Sequence, residues 1–492
     1  MSEAERESRR ARLRALRDAG VEPFPAAVGP RRRVAEVRAE FDGKDETALA
    51  AGTPSAAVCG RVTSLRSFGK LRFFDLSEDG VRIQASARKG EAPEDVLGRL
   101  ATIDVGDFVR VEGTLWRTRS GELTIACRAL DLLAKALRPL PEKWHGLADV
   151  EARFRHRYLD LLVNEDSRRI AIVRSRAVAA MREFLGGRGF LEVETPVLQP
   201  LYGGAAARPF TTYHQLYDQT LYLRISDELY LKRLIVAGLE RVYEIGHNFR
   251  NEGVSRKHNP EFTMMECYQA FADYRDMMAL AESMVQAIAQ RVLGRTKLAW
   301  QGKEIELAGP WPRLTMQEAI RQACGIDFLA AATNDELSAA IRAKGLEVEA
   351  GPTWGQTVDA LFGACVEPSL VQPTFVTDYP VELSPLAKRS ARDPRLVERF
   401  ELFVGGMEIG NAFSELNDPD DQRVRFEEAR REAAAGDEEA HPMDEDFLRA
   451  LEHGMPPTGG LGVGVDRLVM ILADAPSLRE TILFPHMRPE TA

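Results

Sequence analysis

The sequence predicts an α+β protein in which a small closed β-barrel precedes one large domain of mixed strands and helices. The chain of 492 residues is long enough for about two or three domains. Short β-rich runs separated by turn residues fill residues 56–127, as is typical of a small barrel. A proline-containing linker follows at residues 138–141, and strands then alternate with longer apolar helices.

The composition excludes several classes of protein. Hydrophobic residues make up 45% and charged residues 28% of the chain, which is ordinary for a globular protein rather than a fibrous or disordered one. No run approaches the roughly 20 apolar residues of a membrane span. Residues 1–20 carry charges of both signs, unlike a signal or transit peptide, so we expect a cytoplasmic protein. The five scattered cysteines form no C-x-x-C pair, which favours free thiols over disulfides or zinc.

The formal net charge of −10 argues against generic binding of polyanions, although local patches decide that question. One such patch is a basic N-terminal extension, residues 1–50, in which arginines outnumber acids as far as Arg33. It is predicted to begin with a helix that ends near Gly20, before Pro23 and Pro25. Either a solvated helix or an arm that contacts a phosphate backbone fits this pattern, and the sequence leaves both open.

Residues 51–138 are predicted to form a closed barrel of the OB type with a helical insert near residues 92–100. The predicted strands are 58–65, 71–76, 81–86, 108–116 and 123–127. Such barrels bind single-stranded nucleic acid by stacking bases on aromatic side chains. Phe73, Gln84 and Arg61 have the chemistry for base stacking, base-edge hydrogen bonds and phosphate pairing. Taken alone, each is more simply structural, with Phe73 in the core.

Residues 139–492 are predicted to form one large domain. Apolar residues at helical spacing predict a helix over residues 168–185, which the glycines at 186 and 187 end. A strand is predicted over residues 190–195, and the Glu- and Ala-rich segment 427–439 is typical of an exposed helix.

A strand–loop–strand pattern over residues 243–266 places Arg250 and Glu252 directly after an apolar run. Because side chains alternate along a strand, these two are predicted to share one face. A salt bridge is the simplest interpretation. A nucleotide would need the same pair, with the guanidinium on a phosphate and the carboxylate on an amine.

Residues 459–467 read as a glycine-rich turn before a helix, which can hold an anion. The dinucleotide interpretation is weak because the spacing is G-x-G-x-G and no βαβ unit follows. The sequence has no G-x-x-x-x-G-K-[ST] phosphate loop either. If ATP binds, it needs another scheme, with Arg467 as a phosphate clamp.

Two sets of glutamates indicate cation sites. Glu401 and Glu408 flank a glycine turn and are predicted to face each other across a hairpin. Facing carboxylates favour a cation between them, and oxygen ligands near phosphates favour Mg²⁺, with two exposed glutamates as the alternative. Glu228, Glu266 and Glu415 lie in apolar local sequence, which is unusual for glutamate. One shared cationic ligand would explain all three.

From about Ala56 onwards the chain resembles a class II aminoacyl-tRNA synthetase, and closely the bacterial-type lysyl-tRNA synthetases. Three segments are similar to the class II motifs, namely 189–196 (GFLEVETP), 249–262 (beginning FRNE) and 460–467 (GLGVGVDR). Four more are similar to the lysine-specific sequences, namely 203–210, 223–233, 264–268 and 408–415. The class I signatures are absent. Departures are slight: Ala412 where glycine is usual, which is expected to crowd the pocket by one methyl, Cys267 where a larger apolar residue is usual, and Ser226-Asp227 before Glu228.

The resemblance implies a class II catalytic domain, an antiparallel sheet flanked by helices, behind an anticodon-binding barrel. It also implies a homodimer formed through the first motif. The implied reaction is ATP-dependent activation of L-lysine to lysyl-adenylate, with Mg²⁺ as cofactor. The lysyl group is then transferred to the 3′ end of tRNA(Lys).

The resemblance further implies roles for individual residues. Arg250 is expected to hold the α-phosphate and the lysine carboxylate and Arg467 the γ-phosphate, so both are expected catalytic residues. The other expected ATP-binding residues are Asn251, Glu252, His258, Asn259, Phe262 (stacked on adenine), Glu408, Ile409, Gly464 and Asp466. Glu401 and Glu408 are expected to hold Mg²⁺. The expected lysine-binding residues are Gly204 and Glu228 for the α-amino group, Arg250, and Glu266, Tyr268, Asn411, Phe413 and Glu415 towards the side-chain end. The expected anticodon-binding residues are Arg61, Phe73, Gln84 and Glu122.

Two rival functions are less favoured. A paralogue that lysylates another protein would lack the barrel that residues 56–130 predict. A non-catalytic tRNA-binding relative would be expected to lose a motif arginine or a metal-binding glutamate, and none is lost. Specificity for aspartate or asparagine is disfavoured by the carboxylates of the pocket.

Overall fold

The computed structural model describes residues 3–141, 147, 149–434 and 441–490. The chain divides into two compact units, Met1–Gly146 and Leu147–Ala492. The predicted α+β class is confirmed, with a barrel in the first unit and a large mixed sheet in the second. The first unit contains both the predicted N-terminal extension and the predicted barrel. In the described part of the chain, no helix is long and apolar enough to cross a bilayer.

The first unit is built on a closed barrel in which the strand order is β1-β2-β3-β5-β4. The strands are β1 (Ser55–Phe68), β2 (Leu71–Glu78), β3 (Val81–Arg88), β4 (Phe108–Arg117) and β5 (Leu123–Ala134). β3 and β5 run parallel, and the other neighbours are antiparallel. Strand alternation points one set of apolar side chains inward, and Val58, Phe74 and Ile125 are fully buried there. The predicted strands are confirmed, although pairing extends most of them beyond their apolar runs.

Four helices accompany the barrel. They are α1 (Glu3–Asp18), α2 (Val34–Phe41), α3 (Glu46–Gly52) and α4 (Glu94–Leu100). The α1 helix is not simply solvated, because Leu13 and Leu16 are buried. Arg9 is buried as well and donates hydrogen bonds to the carbonyls of Val105 (3.0 Å) and Ala136 (3.1 Å). The basic extension is therefore anchored along one side to the rest of its unit.

The second unit is built on an eight-stranded sheet with the order β14-β15-β16-β17-β18-β11-β10-β6. The pairs β14–β15 and β10–β6 are parallel, and the remaining pairs are antiparallel. Its strands are β6 (Leu191–Glu192), β10 (Arg241–Phe249), β11 (Glu261–Ala270), β14 (Arg313–Thr315), β15 (Thr374–Pro380), β16 (Leu396–Val404), β17 (Met407–Ser414) and β18 (Thr458–Gly464). Two small sheets are formed by β7 (Leu198–Gln199), β8 (Thr211–His214) and β9 (Gln219–Leu223), and by β12 (Lys297–Trp300) and β13 (Lys303–Glu306).

Helices of the second unit flank this sheet. They are α5 (Val150–Arg155), α6 (Arg157–Val163), α7 (Glu165–Gly186), α8 (Glu228–Val236), α9 (Tyr274–Leu293), α10 (Met316–Cys324), α11 (Asn334–Ala343), α12 (Trp354–Cys365), α13 (Pro419–Ala434), α14 (Glu445–Glu452), α15 (Val465–Ala473) and α16 (Leu478–Thr481). Short 3-10 turns lie at Phe328–Ala330, Glu367–Ser369 and Val381–Leu383.

Helices α7, α9 and α15 pack on one face of the large sheet and form the main core. The α9 helix shows why the chain folds this way. Asp273 caps its first turn, accepting from the amides of Arg275 and Asp276, and Gly294 (φ 70°) ends it. Met277, Ala281, Met284 and Ile288, at helical spacing, are buried in the core.

The predicted strand near residue 190 and the predicted exposed helix near residue 430 need correction. The strand expected over residues 190–195 contains only Leu191 and Glu192, because Thr195 turns its amide and hydroxyl to the carboxylate of Glu244. The exposed helix expected over residues 427–439 begins earlier, at Pro419, and is not fully exposed, since Phe426 and Ala429 are buried. Residues 435–439 lie outside the described residues.

Candidate active site

A cavity of about 370 Å³ lies on the face of the large sheet opposite the main core. Strand alternation builds it. On β11, Met264, Glu266 and Tyr268 line the cavity, whereas Met265 and Cys267 between them pack into the core. The same alternation on β16 and β17 brings Arg399, Glu401, Asn411 and Phe413 to the cavity.

The floor of the cavity is kept open by glycines of β18. Gly460, Gly462 and Gly464 lie on the cavity face and alternate with Leu461 and Val463, which pack into the core. The prediction of a glycine-rich turn is therefore wrong. Residues 458–464 form a strand between β11 and β17, and α15 begins directly after it.

Two arginines line the end of the cavity around Glu408, and one of them, Arg250, also lies near Glu266. Arg250 follows the last residue of β10, and its guanidinium lies 5.1 Å from the centre of the Phe262 ring. Arg467, in the first turn of α15, donates to the carbonyl (2.8 Å) and the carboxylate (3.1 Å) of Glu408. Its second nitrogen lies 3.2 Å from Nε2 of His258. This end of the cavity is suited to bind a polyanion.

The predicted pairing of Arg250 with Glu252 on one strand face is wrong. β10 ends at Phe249, so both residues belong to the loop that follows, and Glu252 is exposed. The loop nevertheless brings Glu252 to the cavity beside His258 and Asn259. Burial and the charges of Arg467 and Lys257 lower the pKa of His258, which leaves its ring neutral at pH 7.

Glu401 and Glu408 approach each other from the adjacent strands of a hairpin that turns at two glycines. They are not directly opposite, because Glu401 pairs with Asn411 and a bulge shifts the register before Glu408. Burial and the charge of Glu408 raise the pKa of Glu401 to about 7, although Arg399 binds its carboxylate at 2.5 Å. A divalent cation would relieve this repulsion, and two carboxylates beside a phosphate site suit one.

The opposite end of the cavity is acidic. Glu228 and Glu266 line it, Asp227 and Glu415 are buried next to them, and each of these four carboxylates is at most 5% exposed. Glu266 accepts hydrogen bonds from the hydroxyls of Ser226 (3.0 Å) and Tyr268 (3.1 Å). Burial and the nearby charge of Asp227 raise the pKa of Glu266 well above its ordinary value. A cationic ligand would stabilise this cluster.

Gly204 closes the acidic end. Its backbone has a left-handed φ of 87°, and a side chain there would meet the hydroxyl of Ser226 at 2.7 Å and the Cβ of Glu228 at 3.1 Å. Only glycine therefore lets this loop approach Glu228 so closely.

All but two of the residues predicted for ATP and lysine line this single cavity. Asn251 is exposed outside it, and its amide donates to the carbonyl of Arg208 (2.8 Å). Glu415 is 1% exposed and lies behind the wall, next to Gly460 and Tyr268. Ala412 does not crowd the pocket as expected, because it is fully buried in the core on the other face of the sheet.

Comparisons with known proteins agree with this architecture. The family described as class II tRNA synthetases (D, K and N) matches residues 149–488, and the OB-fold nucleic acid binding domain matches residues 56–133. The chain is 52% identical over 479 residues to the lysine–tRNA ligase of Moorella thermoacetica, covering 97% of this chain and 96% of that protein. It is 53% identical over 482 residues to that of Chloroflexus aurantiacus (98% and 97%) and 48% identical over 482 residues to that of Staphylococcus aureus (98% and 97%).

The chain belongs to the lysine–tRNA ligase family of class II tRNA synthetases.

Sequence reasoning missed several residues around the cavity of this synthetase. Arg399 and His441 line it, and Lys232 lies behind Glu228. Lys232 had a detectable signal, since it follows Glu228 by one helical turn in a helix that is apolar apart from Tyr230 and Arg233. His441 and Arg399 had none, because only the fold brings them to this cavity.

The predicted anticodon residues of the synthetase lie on its barrel but not all together. Gln84 and Thr124 are paired across β3 and β5, with a hydrogen bond of 2.9 Å between their side chains. Phe73 lies on the outer face of β2 and makes a T-shaped contact with the exposed ring of Phe68, so its interpretation as a core residue is wrong. Glu122 is exposed and immediately precedes β5.

Arg61 is the outlier among these four. It stacks on Phe108 (4.1 Å) and donates to the carbonyl of Gly106. In the register of β1 and β2, the residue directly opposite Phe73 is Arg66 and not Arg61. Arg66 and Arg82 both bind the buried carboxylate of Asp75 on this outer face, at 3.0 and 2.9 Å. These two half-exposed arginines add positive charge to the face that carries Phe73.

Proposed function

We propose that this synthetase activates L-lysine with ATP in the cavity described above and transfers the lysyl group to the 3′ end of tRNA(Lys). The observation that carries the proposal is the polarity of the cavity. Arg467 lies beside Glu408 and His258. Glu228 and Glu266 line the cavity next to the buried Asp227 and Glu415, and Arg250 lies near the carboxylates of both Glu408 and Glu266. An amino acid with two ammonium groups and a triphosphate match these ends in charge.

The acidic end is suited to lysine rather than to a neutral amino acid. Among the described residues, neither oxygen of Glu415 has a hydrogen-bond partner beyond its ion pair with Lys232. Glu266 and Tyr268 line the same end. A compact ammonium group with three donors satisfies such acceptors, whereas an uncharged side chain leaves them unpaired. We assign the α-amino group to Glu228 and Gly204, and the ε-ammonium group to Glu266, Tyr268 and Asn411, with Glu415 behind them.

The basic end is assigned to ATP. Arg250 is placed to hold the α-phosphate and the lysine carboxylate, and Arg467 to hold the γ-phosphate. In the protein alone, Arg467 is paired with Glu408 and adjoins His258, so its guanidinium already lies at this end. Phe262 offers its ring to adenine. Asp466 lines the cavity but serves the scaffold, since it accepts from the amide of Thr263 at 2.7 Å and pairs with Arg174.

The chemistry needs positioning more than proton transfer. The lysine carboxylate is already anionic at pH 7, so it attacks the α-phosphorus without a general base, and pyrophosphate leaves. Arg250 holds both reacting groups and neutralises charge where it develops, and Arg467 holds the departing end. In the second step a terminal hydroxyl of the tRNA displaces AMP from the adenylate.

Glu401 and Glu408 are proposed to hold the divalent metal of this family, with Mg²⁺ as the ion. The raised pKa of Glu401 supports the assignment, because it reflects a buried carboxylate next to a second one that would gain from a cation. When bound, Mg²⁺ supplies positive charge to the phosphate oxygens of ATP.

The test is amino-acid-dependent ATP–pyrophosphate exchange with the full chain. Lysine is expected to support exchange, ornithine to support it weakly, and norleucine, aspartate and asparagine not to support it. Losing a methylene costs about 1–3 kcal/mol, whereas losing the ammonium leaves buried carboxylates unpaired. Exchange with aspartate but not with lysine would overturn the proposal. Charging of total tRNA with labelled lysine then distinguishes tRNA from a protein acceptor.

The first unit is proposed to bind the anticodon. Residues 51–138 supply the barrel, with Phe73, Gln84 and Glu122 on its outer face, and residues 1–50 are proposed as a basic extension of that unit. Residues 139–492 are proposed as the catalytic domain. Arg61 remains assigned to the anticodon, although its guanidinium is occupied by Phe108 and Gly106.

The synthetase is further proposed to be a homodimer formed through residues 189–198. Leu191, Val197 and Leu198 are 52%, 40% and 49% exposed, a cluster of apolar side chains that a second copy would cover. Light scattering is expected to give twice the chain mass. A Leu198→Asp variant is expected to shift that mass towards the monomer, and a monomeric wild-type protein would overturn the assignment.

The compartment is proposed to be the cytoplasm. All five cysteines are free, as expected for a reducing environment. Immunodetection in fractionated cells tests this.

A further inference from the structure

A buried lysine of the protein lies directly behind the proposed substrate site. The side chain of Lys232 is completely buried. Its Nζ lies 2.5 Å from Oε1 of Glu228 and also forms an ion pair with Oε2 of Glu415. Glu228 begins helix α8, so Lys232 follows it by one turn on the same helical face. One protein cation therefore bridges two of the carboxylates assigned to lysine.

Burying the charged side chain of Lys232 costs free energy, which is explained if Lys232 stabilises the carboxylates of Glu228 and Glu415. A fully buried lysine is rare, and burial of an ion pair seldom adds net stability compared with apolar residues. Glu228 lines the cavity, whereas Glu415 is packed against Gly460 and Tyr268 with no other hydrogen-bond partner among the described residues. Without Lys232, these two buried acids would face further acids with no cation on their inner side.

We propose that Lys232 is a positioning residue that favours the ionised forms of Glu228 and Glu415 and orients both carboxylates for the two ammonium groups of the substrate lysine. The inference rests on the proposed function and adds a protein group that neither touches the substrate nor enters the chemistry. Lys232 acts from behind the pocket wall, so its effect falls on lysine binding and not on ATP.

The charges around Lys232, Glu228 and Glu415 determine the direction in which the pH profile shifts when Lys232 is replaced. The titratable and charged groups facing it are Asp227, Glu266, Tyr268, Arg399 and His441. Burial raises the pKa of Glu415 to about 8, and Lys232 opposes that rise. Although burial lowers the pKa of Lys232, the charges of Glu228 and Glu415 outweigh it and raise that pKa above its usual value. The lysine therefore stays charged while the acids titrate.

Removing the positive charge of Lys232 is therefore expected to raise the pKa values of Glu228 and Glu415. Asp227 and Glu266 push the pKa of Glu228 further upward, and the charge of Arg399 opposes that rise. His441 stays neutral, because burial and Lys232 lower its pKa to about 4. The acid limb of kcat/KM for lysine, which reports groups of the free enzyme, then moves to higher pH.

The experiment compares Lys232→Met, Lys232→Arg and wild type in lysine-dependent ATP–pyrophosphate exchange from about pH 6 to pH 10. Lys232→Met is expected to raise the KM for lysine at least about 30-fold and leave the KM for ATP within about threefold. Its acid limb is expected to move about one pH unit upward. Lys232→Arg keeps the charge and is expected to keep the wild-type limb. Lys297→Met is the control, because Lys297 is an exposed lysine paired with Glu304 at 2.7 Å.

A folded Lys232→Met enzyme with wild-type KM and acid limb would overturn the inference, as would equal rises in both KM values. If Lys232→Met does not fold, the double variant Lys232→Met/Glu415→Gln removes both charges and is compared with Glu415→Gln. The acid limb of the double variant is expected to lie at higher pH than that of Glu415→Gln, because Glu228 has lost the charge of Lys232. Coincident acid limbs in the two variants would contradict the role of Lys232. Absence of lysine-dependent exchange in wild type would instead overturn the proposed function.

Discussion

The carboxylate of Glu415 occupies the space that a side chain on Gly460 would need. A Cβ built on Gly460 would collide with Oε1 of Glu415 and would lie 2.5 Å from the ring of Tyr268. Gly460 is paired with Tyr268 on one side and with Phe413 on the other. The glycine strand β18 therefore leaves room for an acidic side chain on the cavity face of the sheet.

Gly460→Ala is expected to impair lysine binding selectively. The added methyl must displace Glu415 or Tyr268, which we expect to raise the KM for lysine about 10- to 100-fold, with the KM for ATP almost unchanged. Overpacking is also expected to lower the free energy of unfolding by about 1–3 kcal/mol. Exchange kinetics and denaturant unfolding measure the two effects. Gly363→Ala is the control, since a Cβ there meets open space in helix α12. A normal KM for lysine in Gly460→Ala would contradict this contact.

Glu415→Gln tests the charge rather than the shape of the same side chain. The amide keeps the volume but cannot balance Lys232 or an ammonium group, so the KM for lysine is expected to rise about 100-fold. The pH dependence should change too. With a pKa of about 8, Glu415 is ionised only as the pH rises through that value, so kcat/KM for lysine is expected to climb towards pH 8 in wild type. The variant is expected to lose the part of this limb that Glu415 contributes and to keep the part that Glu228 contributes. Glu261→Gln, at an exposed carboxylate, is the control. Unchanged exchange kinetics in Glu415→Gln would refute the assignment.

The parts of the site that the sequence predicted are those encoded by local pattern. Strand alternation and turn residues were sufficient for the barrel and for the β10–loop–β11 segment, and apolar surroundings marked Glu228, Glu266 and Glu415 as unusual. The resemblance to the class II motifs implied the identity of the substrates. Each of these signals lies within about ten consecutive residues.

The parts that were missed depend on contacts between distant segments. The glycines of segment 459–464 are typical of a turn. The segment is a strand only because it pairs with β11 and β17. Whether Ala412 faces the pocket or the core depends on the register of β17, which one residue would reverse. Similarly, Phe73 and Phe74 are adjacent aromatics, and closure of the barrel decides that Phe74 is the buried one.

The metal requirement is expected to depend on pH through Glu401. With a pKa of about 7, this carboxyl binds a proton below neutrality, and the proton competes with a cation for the same oxygens. The concentration of Mg²⁺ for half-maximal exchange is therefore expected to increase as the pH falls from about 8 to 6. Glu401→Gln is expected to need more Mg²⁺ at every pH and to lose this dependence. Glu398→Gln, three residues earlier on β16, is the control and should behave like wild type. A wild-type Mg²⁺ requirement that is flat with pH would rule out this role for Glu401.

Phe73→Ala is expected to separate tRNA recognition from lysine activation. The ring lies on the outer face of the barrel, where Gln84 and the arginines around Asp75 lie beside it, so its removal deletes a stacking platform without opening the core. Since one base–aromatic stack contributes about 1–3 kcal/mol, kcat/KM for tRNA is expected to fall roughly 5- to 150-fold. ATP–pyrophosphate exchange without tRNA should stay at the wild-type rate, because that step is proposed to use the cavity of the other unit. Phe24→Ala, which removes another half-exposed phenylalanine of the same unit, is the matched control. Equal tRNA kinetics in the two variants would show that Phe73 does not contact the anticodon.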